Sequence, residues 1–330
     1  MDYHGSKRAS SETARSEGAV KEAIETRELI TVSVDGVRLR GTCHRTRQER
    51  VSRDSRPGVF FFNPGFLPRA GTGDSAVDFA ETLAKSGYRC FRFDVPGLGD
   101  SDGEPPEDVL DFINTGKYAP VLSAAVKELV ARYSLPGMVI VGHCAGGVSA
   151  LFTAAITKDC RGLVLMDPYF HLPKARPKLR NELSTWAGTS WVGGLFSKAF
   201  NLAKKVKGVV SARKLPANAN LPLLRCWKQV ASAGTPILIL KATSRESPGF
   251  KPRPGEFDYF AHILNLAGRH RRVAMELVEG SNHSLADSKG KAAVQGSAQQ
   301  WLNANFPPMV SEESAGREGT GKLENVAVDV

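Results

Sequence analysis

Residues 141–147 read Val-Gly-His-Cys-Ala-Gly-Gly, directly after the apolar run Met138-Val139-Ile140. A strand that breaks at glycine and resumes as an apolar helix predicts a tight turn with one polar residue at its tip. Such turns are commonly written G-x-S-x-G; here the tip is Cys144. The geometry forces unusual backbone angles on the tip and leaves no room beside it, which Gly142, Gly146 and Gly147 answer. A helix expected over 147–157 then points its N-terminus at the thiol, and that dipole favours the thiolate. A lone cysteine is more often a small buried residue. The strand before it, the helix after it and the flanking glycines make Cys144 a candidate nucleophile instead.

Outward from this turn, strand-like and helix-like segments alternate. An apolar/polar alternation on both sides of Asp35-Gly36 predicts an opening hairpin. Short continuous apolar runs follow at 59–62, 88–93, 138–141, 162–166, 236–240 and 273–278, as expected for strands buried on both faces of a parallel sheet. Helical patterns over 76–85, 121–133 and 257–267 separate most of them. An antiparallel start followed by this alternation argues an α/β fold with a mostly parallel central sheet. No internal repeat is visible. Residues 1–27 and 307–330 lack hydrophobic periodicity and are expected to be disordered tails. Residues 169–234 interrupt the rhythm, hold three of the four tryptophans and are expected to form an inserted helical cap. The core is then 28–168 plus 235–306.

Four segments together resemble the α/β-hydrolase superfamily over roughly residues 28–306. FFFNPGF (60–66) is similar to the His-Gly loop after the third strand, with Asn63-Pro64 replacing the usual histidine. FDVPGLGDSDG (93–103) resembles the superfamily's D-x-x-G-x-G-x-S segment, VGHCAGG its nucleophile elbow, and VEGSNHSL (278–285) the loop bearing its histidine. Among branches, the chain looks most like the serine-aminopeptidase-like hydrolases, especially the exosortase-associated bacterial ones. Dienelactone hydrolases and polyhydroxyalkanoate synthases also carry cysteine at the elbow, but match the rest of the chain less well. The resemblance implies an α/β-hydrolase fold and an acyl-enzyme mechanism without cofactor or metal.

It also assigns roles. Of seven histidines, His283 comes last and follows a strand and a Gly280-Ser281-Asn282 loop, where this fold delivers its base. His143 is expected to point away from the thiol, and His171 to face solvent at the mouth of the cap. The acid that orients the base stays open between Glu246, after the penultimate strand, and Asp167, in a stretch resembling the Leu-Asp-x-Tyr segment of polyketide-type thioesterases. A Cys–His pair without an acid is the third possibility. The oxyanion hole is expected from the backbone N–H groups of Ala145 and Phe66, since Pro64 has none. Asp94 and Ser101 read as structural.

Charge narrows the substrate class. The chain carries a net +10, yet residues 169–235 hold twelve Lys or Arg against the single acid Glu182, so the rest is nearly balanced. A basic cap over a thiol suits an anionic acyl substrate or an acidic carrier protein. Five cysteines without a C-x-x-C pair indicate neither a disulfide framework nor a zinc site. The first eighteen residues are polar, and no run is long enough to span a bilayer, so a cytoplasmic protein is expected, with no nucleic-acid partner. A thiol nucleophile exchanges with thioesters at nearly equal energy, which favours a thioesterase or acyltransferase. The alternatives are an ordinary ester, lactone or amide hydrolase with Cys replacing Ser, and a catalytically inactive hydrolase-fold binding protein.

Overall fold

A computed structural model describes residues 25–46, 56–63, 65–172, 215–243, 257–268 and 272–307. Strands β1 (Glu25–Val34) and β2 (Val37–Thr46) form the antiparallel hairpin. Its turn residues Asp35 and Gly36 both take positive φ (49° and 82°), the conformation a two-residue hairpin loop requires. Then come β3 (Gly58–Phe62), α1 (Ser75–Lys85), β4 (Cys90–Phe93), α2 (Val109–Asn114), α3 (Ala119–Arg132), β5 (Met138–His143), α4 (Ala145–Ile156) and β6 (Cys160–Met166). The described chain resumes with α5 (Leu221–Ser232), β7 (Ile237–Ala242), α6 (Tyr259–Leu266), β8 (Val273–Val278) and α7 (Ser288–Asn305).

The eight strands form one sheet in the order β1-β2-β4-β3-β5-β6-β7-β8. Every pairing from β4 through β8 is parallel, and β1 and β2 add an antiparallel edge. Alternate residues feed two cores. Met138 and Ile140 of β5 pack with α2 to α6 on one face; Val139 and Val141 pack with α1 and α7 on the other. Helix α4 has Ala145 through Ala154 all buried, because sheet and helices enclose it on every side. Side chains of Asp108, Asn220, Asp258 and Asp287 cap the N-termini of α2, α5, α6 and α7 by accepting a backbone N–H.

The structure departs from the sequence expectations in four places. β1 begins at Glu25, inside the expected N-terminal tail, because hairpin pairing extends to Thr46. α2, at six residues, is too short to show a helical period. The expected cap ended at 234, yet α5 within it lies in the core: Trp227 is fully buried and its Nε1 donates to the Ile263 carbonyl at 2.8 Å. β8 is not buried on both faces; at the sheet edge it exposes Met275 and Leu277. Residues 173–214 of the cap lie outside the described residues, as do 1–24 and 308–330 of the tails. Among the described residues no helix is long and apolar enough to cross a membrane.

Candidate active site

In a parallel sheet the carboxyl ends of the strands leave together at one edge, and loops from non-adjacent strands converge there. Cys144 stands where β5 meets α4, at φ 52° and ψ −119°, a backbone region L-residues rarely adopt. Its N–H donates to the Met166 carbonyl at 2.9 Å, which ties the turn to β6. The glycines around it are required sterically. A Cβ on Gly142 would lie 2.3 Å from the Gly146 carbonyl oxygen, and one on Gly146 would lie 2.4 Å from that of Asn63. Strand and helix are thus pressed together until only hydrogen fits between them.

The loop after β3 runs alongside. A Cβ on Gly65, which has φ 68°, would sit 3.7 Å from the Ala145 Cβ, so Gly65-Phe66 borders the start of α4. The Phe66 side chain is itself exposed. Asn63 stands where the histidine was missing, and it is buried. Its Nδ2 donates to the Leu67 carbonyl at 2.9 Å and to Asp94 Oδ1 at 3.1 Å. Fully buried Asp94 also accepts from the Arg69 backbone at 2.7 Å, the Asp100 backbone at 3.2 Å and the Arg69 guanidinium. Ser101 Oγ donates to the Asp94 carbonyl at 2.6 Å and accepts from the Arg40 N–H at 2.9 Å. Asp94 and Ser101 are structural, as expected: one buried carboxylate holds two site loops.

His283 follows β8. Its Nδ1 lies 2.5 Å from Asp167 Oδ2, at the end of β6, and the Cys144 side chain is the next group acting on its ring. Nδ1 donates, because a carboxylate accepts. Those two groups, Asp167 first, push the imidazole from 6.5 up to about 10 against the opposing effect of burial. The base loop is shaped locally. Asn282 Oδ1 accepts from the Ser284 N–H at 3.0 Å, and Thr243 Oγ1, after β7, bonds the Val278 carbonyl and the Gly280 N–H at 3.2 and 2.9 Å. The loop therefore crosses the end of β7 to reach β6. Glu246, the other acid candidate, lies outside the described residues.

Three other histidines have partners of their own. His143 points to the opposite side of the turn, where its Nε2 bonds the His283 carbonyl at 2.7 Å. His44 is buried, accepts from Arg92 Nε at 3.0 Å and is held down to about 3 by burial and the Arg92 charge. His171 does not face open solvent; its ring is flanked by those of Tyr169 and Tyr259, with centroids 5.7 and 5.8 Å away.

The α/β-hydrolase fold family's sequence profile matches residues 58–201. Among solved structures, the complex of DcsB with its substrate analogue is 17% identical with a TM-score of 0.57, covering 86% of this chain and all of its own. An esterase of Pyrococcus furiosus is 13% identical with a TM-score of 0.56, over 85% of this chain and 91% of its own. The thioesterase domain from the curacin biosynthetic pathway is 14% identical with a TM-score of 0.51, over 83% and 99%. This chain has the α/β-hydrolase fold. No curated protein sequence matches it.

Within the hydrolase fold, two side chains around the site escaped the sequence reading. Tyr169 and Cys144 both pack against the core, and the buried Asn114 lies near the phenol. Burial, then the nearby Cys144, pushes this phenol well above its ordinary range. Lys241 is buried on β7, one position beyond Leu240, whose carbonyl accepts from the Asp167 N–H at 2.7 Å. Its Nζ lies 4.0 Å from the Phe260 ring centroid, and burial holds it below the usual lysine range while Asp258 and Asp167 oppose that shift. The signal was present: a lysine inside the apolar run Ile-Leu-Ile-Leu-Lys-Ala (237–242) asks for a nearby anion.

Proposed function

We propose that the protein is a Cys-His hydrolase or acyltransferase that works through an acyl-enzyme on Cys144, with acyl thioesters as preferred donors. The observation that carries this reading is one connected set: Cys144 at the turn, close enough to act on the His283 ring, whose Nδ1 lies 2.5 Å from buried Asp167. Asp167 serves as the acid that holds the Nδ1–H tautomer.

Chemically, the Sγ proton moves to His283 Nε2 and sulfur bonds the acyl carbon. The oxyanion rests against the N–H groups of Ala145 and Phe66. Collapse breaks the bond to the leaving thiolate, which takes the proton from His283. Water or another acceptor then gives its proton to Nε2, attacks the new thioester and frees Sγ. Both thioesters have similar energy, so the acyl group stays activated for transfer. The basic cap supports an anionic acyl substrate or an acidic carrier. The solved thioesterase and esterase domains of the same fold fit acyl chemistry.

The test is intact-mass detection of an acyl adduct after incubation with a panel of acyl thioesters. A mass gain on the parent chain that disappears in Cys144→Ala is expected, with His283→Ala equally inactive. Equal turnover of oxygen esters and thioesters favours the ordinary hydrolase reading. No adduct and no turnover with either class leaves a binding protein.

A further inference from the structure

His143 lies immediately before the nucleophile, yet its side chain faces away from it. The ring is buried, and its centroid lies 5.5 Å from that of His283, tilted by 44°. Its Nε2 is 2.7 Å from the His283 backbone carbonyl. A carbonyl only accepts, so Nε2 carries the proton. Cys144 and the base loop come from β5 and β8, which have two strands between them in the sheet. Their relative position is not set by direct strand pairing. His143 joins them through the backbone: covalently to Cys144, and by hydrogen bond to the His283 carbonyl.

We propose that His143 is a positioning residue, tying the base loop to the nucleophile turn so that the His283 ring and the Cys144 thiol stay within hydrogen-bond reach. This rests on the reading of Cys144 and His283 as nucleophile and base. The ring acts on neither substrate nor thiol. It fixes where the backbone of His283 stands, while Asp167 fixes the rotation of its ring. The two restraints are complementary, since a side-chain bond to Nδ1 alone leaves the loop free to shift with the ring. Asn282 and Thr243 shape the loop from within and from β7, but neither links it to the turn that bears the thiol.

The surroundings allow a clean test. Beyond the turn the His143 ring lines a cavity with Phe61, Phe79, Met166 and Leu285, which leaves space next to a replacement side chain. Burial holds the imidazole below its ordinary range; the bond to the His283 carbonyl opposes that shift, the His283 ring charge adds to it and Asp167 opposes it. Lys291 borders the same cavity but is committed to Asp78, 2.6 Å away, and to the Gly73 carbonyl. Glutamine places its amide nitrogen near the imidazole Nε2 and still donates; leucine cannot.

The experiment compares the parent, His143→Gln and His143→Leu for Cys144 alkylation by iodoacetamide at neutral pH and for acyl-adduct formation, with thermal midpoints alongside. Loss of about 1 Å in placement costs roughly a hundredfold, so His143→Leu should slow both reactions ten- to a hundredfold while His143→Gln recovers most of the rate. Parental rates in the leucine variant overturn the proposal. So do equal losses in both variants that track their melting temperatures. Nitrogen NMR of the parent chain gives an arm free of any folding defect: His143 must be the Nε2–H tautomer, and the Nδ1–H tautomer refutes the bond. If Cys144 of the parent alkylates no faster than the other cysteines and takes no acyl group, the proposed function fails, and the NMR arm still judges the tie itself.

Discussion

Asp167→Asn tests the site most directly, because the substitution is nearly isosteric and the carboxylate is fully buried. His283 is raised from 6.5 to about 10. At about 1.4 kcal/mol per unit that is ~5 kcal/mol in favour of the imidazolium. Asp167 and the Cys144 side chain share it, with Asp167 first, so losing the charge should cost the imidazolium ~2–3 kcal/mol. The amide adds a second fault. Its NH2 can donate to Nδ1, which moves the ring proton to Nε2, where the thiol proton must go. Turnover should therefore fall by ~10²–10⁴. Stability carries an independent signature. A raised folded pKa contributes fully below the unfolded value of 6.5 and is lost as pH rises through about 10. The stability gap between parent and variant should be widest below pH 6.5 and narrow steadily toward pH 10. Urea unfolding across that window, with thioester turnover on the same samples, measures both. A gap that stays flat with pH, or turnover within a few-fold of the parent, refutes the role given to Asp167. If turnover survives, the site is a Cys–His pair, or its acid is Glu246.

Two further outcomes follow from other parts of the molecule. Gly146→Ala places a methyl group 2.4 Å from the Asn63 carbonyl oxygen. The two backbones must separate, so ~2–3 kcal/mol of stability should be lost, with acyl-adduct formation falling alongside, read by urea midpoint and mass. Lys204, Lys205 and Lys207 are three of the twelve basic residues between 169 and 235, and changing them to Glu should weaken binding of an anionic carrier while sparing a small neutral thioester. Affinity of the parent for that carrier should fall with salt, because exposed charges are screened within about 10 Å at 0.1 M; a salt-independent affinity removes the electrostatic role of the cap.

Much of this protein is local and was therefore legible in order along the chain. The Asp35-Gly36 hairpin, six apolar strands and the helices between them follow from residue spacing, and most boundaries moved by only one or two residues. The elbow was legible for the same reason: glycines at fixed offsets from Cys144 report a contact between a strand and the very next helix. The place of His283 after the last strand was equally a matter of order. What depends on which strands lie side by side was not. The choice of Asp167 as partner needed the base loop to cross the end of β7, a fact of sheet order. Helix α5 read as cap because amphipathic spacing shows which face is apolar, not which surface covers it, and only the packing of Trp227 against α6 decides that. The exposure of β8 depends on its being the edge strand. Lys241 and His143 meet their partners through neighbours distant in sequence. Periodicity and turn chemistry are written in adjacent residues, whereas burial and hydrogen-bond partners across strands are properties of the assembled sheet.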